Sequence, residues 1–452
     1  MRRSPRSEGA FRRPRETANV GQVSRHDTRL DPFVEHYSER TQSLRVSAVR
    51  ALFAVANRPE IVSLAGGMPN IQDLPLEVIG EHIAQLIKER GTQVMQYGSG
   101  QGELTIREGI CEVMAEEGIT ADPDEVVITA GSQQGLDLVT RTFCDPGDVV
   151  LAESPSYVGA LGTFHSYQAE TVHVPCDDEG VSPEGLRETI TRLRADGRRI
   201  KFLYTIPNYN NPSGVTQPVE RRRAILEVCS AEGVLVVEDN PYGLLSLDGD
   251  PLPAMRSLDG NVIYLGSFSK TFAPGFRVGW VCAPHAVKER LVLAQESATL
   301  CPPVFSQFAI SNYLESIDWR GQIEVFRDMY RARRDAMLSA LGREMPGGCS
   351  WTRPAGGFFV WVTLPEGVDA SAMLPRGVSA RVAFVPGPAF FADGQGSRNV
   401  RLSYCFPTPE RITTGVERFA QVVRSELDML QTFGMHTPAA HHRTFGPGPD
   451  IN

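Results

Sequence analysis

Short apolar runs recur along the chain, separated by longer stretches whose apolar positions return at helical spacing. Val126-Val127-Ile128-Thr129, Val149-Val150-Leu151-Ala152, Thr171-Val172-His173-Val174, Phe202-Leu203-Tyr204, Val234-Leu235-Val236-Val237, Val262-Ile263-Tyr264-Leu265 and Val278-Gly279-Trp280-Val281 are of strand length and rich in β-branched and aromatic residues. Residues 76–90, 103–118, 182–195 and 218–231 read as amphipathic helices between or before them. Strands alternating with helices predict an α/β fold whose large domain has a mostly parallel sheet flanked by helices. Past about Pro284 a long helical pattern, broken at Cys301-Pro302-Pro303, leads into a second domain. Its strand signals are Phe358-Phe359-Val360-Trp361-Val362, Val382-Ala383-Phe384-Val385 and Asn399-Val400-Arg401-Leu402-Ser403. Near the start, a helical pattern from about Asp31 carries Val46, Val49, Leu52, Phe53 and Val55, and Ile61-Val62-Ser63-Leu64-Ala65-Gly66-Gly67 follows it.

Composition narrows the class. The chain has 452 residues, 41% of them hydrophobic, enough for a large core and two or three domains. No apolar run approaches the roughly 18 residues of a membrane span and no signal sequence opens the chain, so a cytoplasmic protein with no membrane partner is expected. The eight cysteines form no C-x-x-C pair and the nine histidines no H-E-x-x-H, so neither a disulfide framework nor a metal site is signalled. A net charge of −9 argues against a nucleic-acid-binding body. Residues 1–28 differ, with seven arginines against Glu8, Glu16 and Asp27, and read as a disordered basic tail; residues 436–452 read as a flexible tail.

The candidate chemistry starts at Ser267-Phe268-Ser269-Lys270, between two buried runs. Desolvation lowers an ammonium pKa and frees the amine to attack a carbonyl, the requirement of Schiff-base chemistry. Ser267, Ser269 and Arg277 around it suit a phosphate. The run from Val234 ends in Asp239, and ligands of open α/β sheets bind beyond the carboxyl ends of strands. After Val126-Val127-Ile128-Thr129 come Gly131 and a helix, whose N-terminus would offer an anion Ser132 and the backbone at Gln133. Taken singly, these features also fit a surface lysine and a plain capped helix. Tyr97 begins a glycine-rich loop that lacks the lysine of a nucleotide P-loop. Arg401 alternates with apolar residues and can fork onto a carboxylate.

In order along the chain, the turn Asn211-Pro212-Ser213-Gly214, the strand end Asp239-Asn240-Pro241-Tyr242 and the loop Ser267-Phe268-Ser269-Lys270 resemble the motifs of the fold type I, pyridoxal-phosphate-dependent aminotransferases of class I/II. Ser63-Leu64-Ala65-Gly66-Gly67-Met68-Pro69 is similar to the S-x-A-G-G-x-P loop of the aminoadipate-type branch. The resemblance covers roughly residues 45–430. It implies an aspartate-aminotransferase-like architecture, with residues 29–75 and 316–435 forming a small α/β domain from both chain ends and residues 76–315 the large cofactor-binding domain. It also implies site roles. Lys270 carries pyridoxal 5'-phosphate and acts as general base, and Asp239 pairs with the ring nitrogen. Asn211 and Tyr242 meet the phenolic oxygen and Tyr157 lies on the ring. Ser132, Gln133, Ser267, Ser269 and Arg277 hold the phosphate, joined by Tyr97 of a second copy in a homodimer. Arg401, with Asn211, binds the substrate α-carboxylate, and the backbone at Gly67 borders the substrate. Arg50, 13 positions before Ser63, corresponds to an arginine that meets a distal carboxylate, although a solvent-facing helix arginine would read the same way.

The activity implied is transfer of an amino group between an α-amino acid and a 2-oxo acid, with glutamate and 2-oxoglutarate as one pair. Decarboxylation, elimination, cyclisation or oxidation on the same cofactor is the alternative chemistry. A sensory domain of a transcription regulator is the alternative class, although only about 45 residues precede the matched region, fewer than a winged-helix domain needs.

Overall fold

The computed structural model describes residues 31–42 and 58–433. Residues 31–42 belong to a separate unit, in which a 3-10 turn at Val34–His36 precedes a one-turn helix at Glu39–Gln42. The helical pattern from Val46 to Val55, Arg50 included, and both terminal tails lie outside the described residues.

Residues 58–433 hold the strands β1 (Val62–Ser63), β2 (Val126–Thr129), β3 (Val149–Glu153), β4 (Glu170–Val174), β5 (Cys176–Asp177), β6 (Gly180–Val181), β7 (Ile200–Thr205), β8 (Leu235–Asp239), β9 (Ile263–Ser267), β10 (Gly279–Cys282), β11 (Ser350–Trp351), β12 (Phe359–Thr363), β13 (Val382–Ala383), β14 (Val385–Pro386) and β15 (Asn399–Ser403). Seven of them make the large sheet, in the order β2-β10-β9-β8-β7-β3-β4. Every pair is parallel except the two made by β10. Alternate residues divide between two apolar layers. Val150, Phe202, Tyr204, Val237 and Ile263 pack on one face, and Val149, Leu151, Leu203, Val236 and Val262 on the other. Burial on both faces is why these strands read as unbroken apolar runs.

Parallel strands send their carboxyl ends to one edge, so Glu153, Thr205, Asp239 and Ser267 end their strands on the same side. The reversed strand β10 closes this edge. Its Gly279 pairs with Ser267 on one side and with Thr129 on the other, which brings the loop after β9 next to the loop after β2.

The smaller sheet, β11-β12-β15-β14, is antiparallel throughout. β1 pairs in parallel with β13, and Leu64 bonds both ways, its N–H to Ala383 and its carbonyl to the Ser403 N–H. The small domain is thus built from both ends of the chain. The pattern past Pro284 becomes three helices, His285–Thr299, Val304–Ser316 and Trp319–Glu344. The helix anticipated over 103–118 stops at Ala115. Glu117 there turns inward to a buried cluster with Asn208, Asn240 and Tyr264, and Gly118, at φ 77°, closes the turn.

Candidate active site

Lys270 follows β9 and points across the cleft between the two sheets. Its Nζ donates to the Gly67 carbonyl at 2.8 Å and lies 5.7 Å from the centre of the Phe358 ring. Burial brings the amine down to about 8, and Arg401 and Arg277 press in the same direction. About a tenth of the amine is therefore free at pH 7, far more than for an exposed lysine. The Gly67 loop also packs closely on Phe359, since a Cβ at Gly67 would stand 3.2 Å from that ring.

Asp239 ends β8 at 4% exposure. Tyr204 donates to its Oδ2 at 2.7 Å, while Oδ1 is buried with no partner. Burial pushes this carboxyl up to about 6, against the pull of the Tyr204 hydroxyl. A buried carboxylate oxygen without a donor calls for one from outside the protein.

A cradle forms where β10 joins its neighbours. Gly131 (φ 82°) precedes the twelve-residue helix Ser132–Phe143, and a Cβ on Gly131 would stand 2.5 Å from Arg277 Nη2. Arg277, itself left-handed at φ 54°, donates to the Ala130 carbonyl at 2.7 Å. Ser267 Oγ donates to Ser269 Oγ at 2.9 Å and accepts from the Ser269 N–H at 3.1 Å. Two hydroxyls, a guanidinium and a helix N-terminus so arranged suit a dianion. The Gln133 side chain is engaged elsewhere, donating to Thr163 at 2.7 Å and accepting from Tyr157 at 3.3 Å, so it is the Gln133 backbone that remains for the cradle.

Arg401 comes from the small sheet at 3% exposure. Its Nη1 donates to Asn211 Oδ1 at 2.8 Å and its Nη2 to the Ala65 carbonyl at 2.7 Å, and Nε is buried without a partner. The guanidinium stacks over Phe359 at 4.2 Å and near Phe390 at 5.0 Å. Burial lowers it to about 10, still charged at neutral pH. The turn that carries Asn211 is held by Glu153 through Asn210. That carboxylate accepts from Thr205, the Ile206 N–H, Asn210 and Gln217, which fastens the end of β3 to the turn carrying Asn211. Tyr242, in the turn after β8, packs its ring on Phe358 at 5.3 Å, and burial pushes its phenol well up while Arg401 opposes the shift.

The motif residues of the chain's middle and last third therefore meet at one edge. Tyr97 is 76% exposed, and Arg50 lies outside the described residues. Two residues that no motif marks join the site. Tyr204 belongs to a strand run, and its closeness to Asp239 follows only from the pairing of β7 with β8. Cys405, one of eight scattered cysteines, donates through Sγ to the Met68 carbonyl at 3.0 Å and so holds the loop that receives Lys270.

A model of the family described as aminotransferase class I and II matches residues 60–419. The chain belongs to that family. It is 40% identical over 399 residues to aromatic-amino-acid aminotransferase 1 of Thermococcus litoralis, across 87% of this chain and 95% of that one. To the 2-aminoadipate transaminase of Thermus thermophilus it is 36% identical over 401 residues, across 88% and 98%. The crystal structure of a Thermus thermophilus α-aminoadipate aminotransferase, complexed with N-(5'-phosphopyridoxyl)-L-leucine, superposes with a TM-score of 0.81 at 36% identity, over 87% of this chain and 99% of that one. The class I and II assignment makes the chain an aminotransferase of fold type I that uses pyridoxal phosphate.

The residues fit that cofactor on physical grounds. A protonated ring nitrogen needs an acceptor, and Asp239 Oδ1 lacks a donor. A phosphate needs a cationic, donor-rich cradle, which Ser267, Ser269, Arg277 and the N-terminus of the helix after Gly131 supply. An aldehyde needs a desolvated amine, which Lys270 provides.

Proposed function

We propose that the aminotransferase acts on both acidic and aromatic or aliphatic amino donors, with glutamate and 2-oxoglutarate as its recycling pair. When bound, pyridoxal phosphate supplies the electron sink that lets the Cα–H bond of an amino acid ionise. In this reading Lys270 holds the cofactor and moves the α-proton through its Nζ. Asp239 Oδ1 accepts from the ring nitrogen and keeps its charge in place. Ser132, Ser267, Ser269 and Arg277 bind the phosphate with the Gln133 backbone and with Tyr97 of a second copy, while Tyr157 covers the ring. Asn211 and Tyr242 bond the phenolic oxygen. Arg401 takes the α-carboxylate of each substrate, and the backbone at Gly67 borders it. The observation that carries the reading is the unpartnered Asp239 Oδ1 at the strand edge that Lys270 also faces.

The substrate range rests on the relatives. One similar protein is named for aromatic amino acids, at 40% identity, and another for 2-aminoadipate, at 36%. No described helix is long and apolar enough to cross a membrane, in keeping with amino-acid turnover in the cytoplasm. The test is the visible spectrum of the purified holoenzyme during single turnovers. Glutamate, 2-aminoadipate and an aromatic amino acid should each bleach the band of the lysine-bound cofactor, and 2-oxoglutarate should restore it. Bleaching by only one class of donor would overturn the dual range, and failure of 2-oxoglutarate to restore the band would remove it as acceptor.

A further inference from the structure

Tyr204 on β7 pairs across the sheet with Val237 on β8. Side chains alternate along a strand, so Val237 and Asp239 share a face and Tyr204 is the diagonal neighbour of Asp239. The Tyr204 ring is fully buried and is held edge-on by Phe164, with centroids 5.5 Å apart, and Phe164 is wedged in turn against Phe202 at 5.8 Å. With its ring so fixed, the phenol oxygen is held in place, and its hydroxyl donates to Asp239 Oδ2 at 2.7 Å. The second oxygen, Oδ1, is left buried and open.

We infer that Tyr204 is a positioning residue for transamination, whose hydroxyl decides which oxygen of Asp239 meets the cofactor's ring nitrogen and keeps that carboxylate charged. The inference deepens the proposed function and rests on the role given there to Asp239. The electrostatics agree with the geometry. Burial, and the facing Asp239 carboxylate, push the Tyr204 phenol well above its ordinary value, so it remains a donor throughout the neutral range. Burial and the adjacent Glu238 push Asp239 up, and among the influences on that carboxyl it is the Tyr204 hydrogen bond that opposes them. Without the hydroxyl, the carboxylate would lose both its anchor and the donor that favours its ionised form.

The test is a double-mutant cycle on the full-length holoenzyme, with Tyr204→Phe, Asp239→Asn and the pair, read by kcat, by KM for the amino donor and by cofactor affinity from a fluorescence titration. Tyr204→Phe alone should lower kcat about tenfold or more and weaken cofactor binding several-fold, with KM for the donor little changed. In the Asp239→Asn background the same change should move each quantity by no more than about twofold, because nothing is left for the hydroxyl to position. Equal losses in both backgrounds would show a purely structural role, and no loss in the native background would remove the hydroxyl from the reaction; either overturns the inference. If Asp239→Asn alone costs neither kcat nor affinity, it is the reading of Asp239 that fails first. Should Tyr204→Phe yield no folded enzyme, Phe164→Leu, which keeps the hydroxyl but loosens its ring, enters the same cycle with the same expectations.

Discussion

Arg401 and Asn211 share a hydrogen bond of 2.8 Å, although one lies on a strand of the small sheet and the other in a turn of the large domain. A guanidinium can only donate, so the amide must present its oxygen to Arg401 and its Nδ2 the other way. The contact therefore fixes the amide with Nδ2 turned away from Arg401, as the donor role proposed for Asn211 toward the phenolic oxygen requires. It also leaves Arg401 Nε open, the one guanidinium nitrogen without an acceptor.

Arg401→Lys should separate the two tasks. A lysine carries charge but cannot bond Asn211, the Ala65 carbonyl and a carboxylate together. The expected loss is about 2–3 kcal/mol in kcat/KM for every amino donor, mainly through KM, with the cofactor still bound. Steady-state kinetics on an acidic and an aromatic donor check it. A loss confined to one donor class would move Arg401 from the α-carboxylate to the side chain.

If Lys270 captures the cofactor as proposed, its lowered pKa should set the pH dependence of that step. Burial lowers its amine to about 8, so the nucleophilic form gains about tenfold per pH unit below that value and saturates above it. Stopped-flow mixing of cofactor-free protein with pyridoxal phosphate should show capture rising from pH 6.5 to about 8 and levelling beyond. A rise continuing to pH 10 would mean that Lys270 behaves as an exposed lysine. Lys270→Ala should abolish the visible band and turnover while leaving the fold intact.

Much of this site is legible in the sequence because each element carries its own local signal. Asp239 is legible since it closes an apolar run at the edge where ligands of parallel sheets bind and Tyr242 follows three positions on, and Lys270 since hydroxyls and glycines crowd a lysine between two strands. What stays hidden depends on register. Tyr204 looks like any core tyrosine until β7 is set beside β8, and the Cys405 thiol bonds a carbonyl 337 positions away. The helix end at Ala115 was equally hidden, because Glu117 turns to meet Asn240, and no helical periodicity records that partner.

Arg50 bears on the specificity proposed above. It stands 13 positions before Ser63, where the aminoadipate-type resemblance puts an arginine for a distal carboxylate. Arg50→Ala should lower kcat/KM for glutamate or 2-aminoadipate by about 1–3 kcal/mol, the scale of a charge-assisted hydrogen bond, and spare an aromatic donor. Equal losses on both would place side-chain recognition elsewhere.

Tyr97 raises the question of a second copy. Its loop is fixed underneath, since the Gln101 carbonyl accepts from the Ile128 N–H of β2 at 2.9 Å, yet Tyr97 is 76% exposed, and Met95, Leu104 and Leu300 are also more than half exposed. Large apolar side chains exposed around a fixed loop suit burial by a partner, and a two-fold dimer would send each Tyr97 to the other site. Tyr97→Ala should weaken cofactor binding by about 1–2 kcal/mol, and so lower turnover at limiting cofactor. Mixing this variant with Lys270→Ala then decides which site the tyrosine serves. In a mixed dimer with exchange, one site carries both defects and the other carries neither, so about a quarter of native activity should return after subunits are shuffled. If Tyr97 served its own chain, each site of the mixed dimer would keep one defect and activity would not rise above the sum of the two variants.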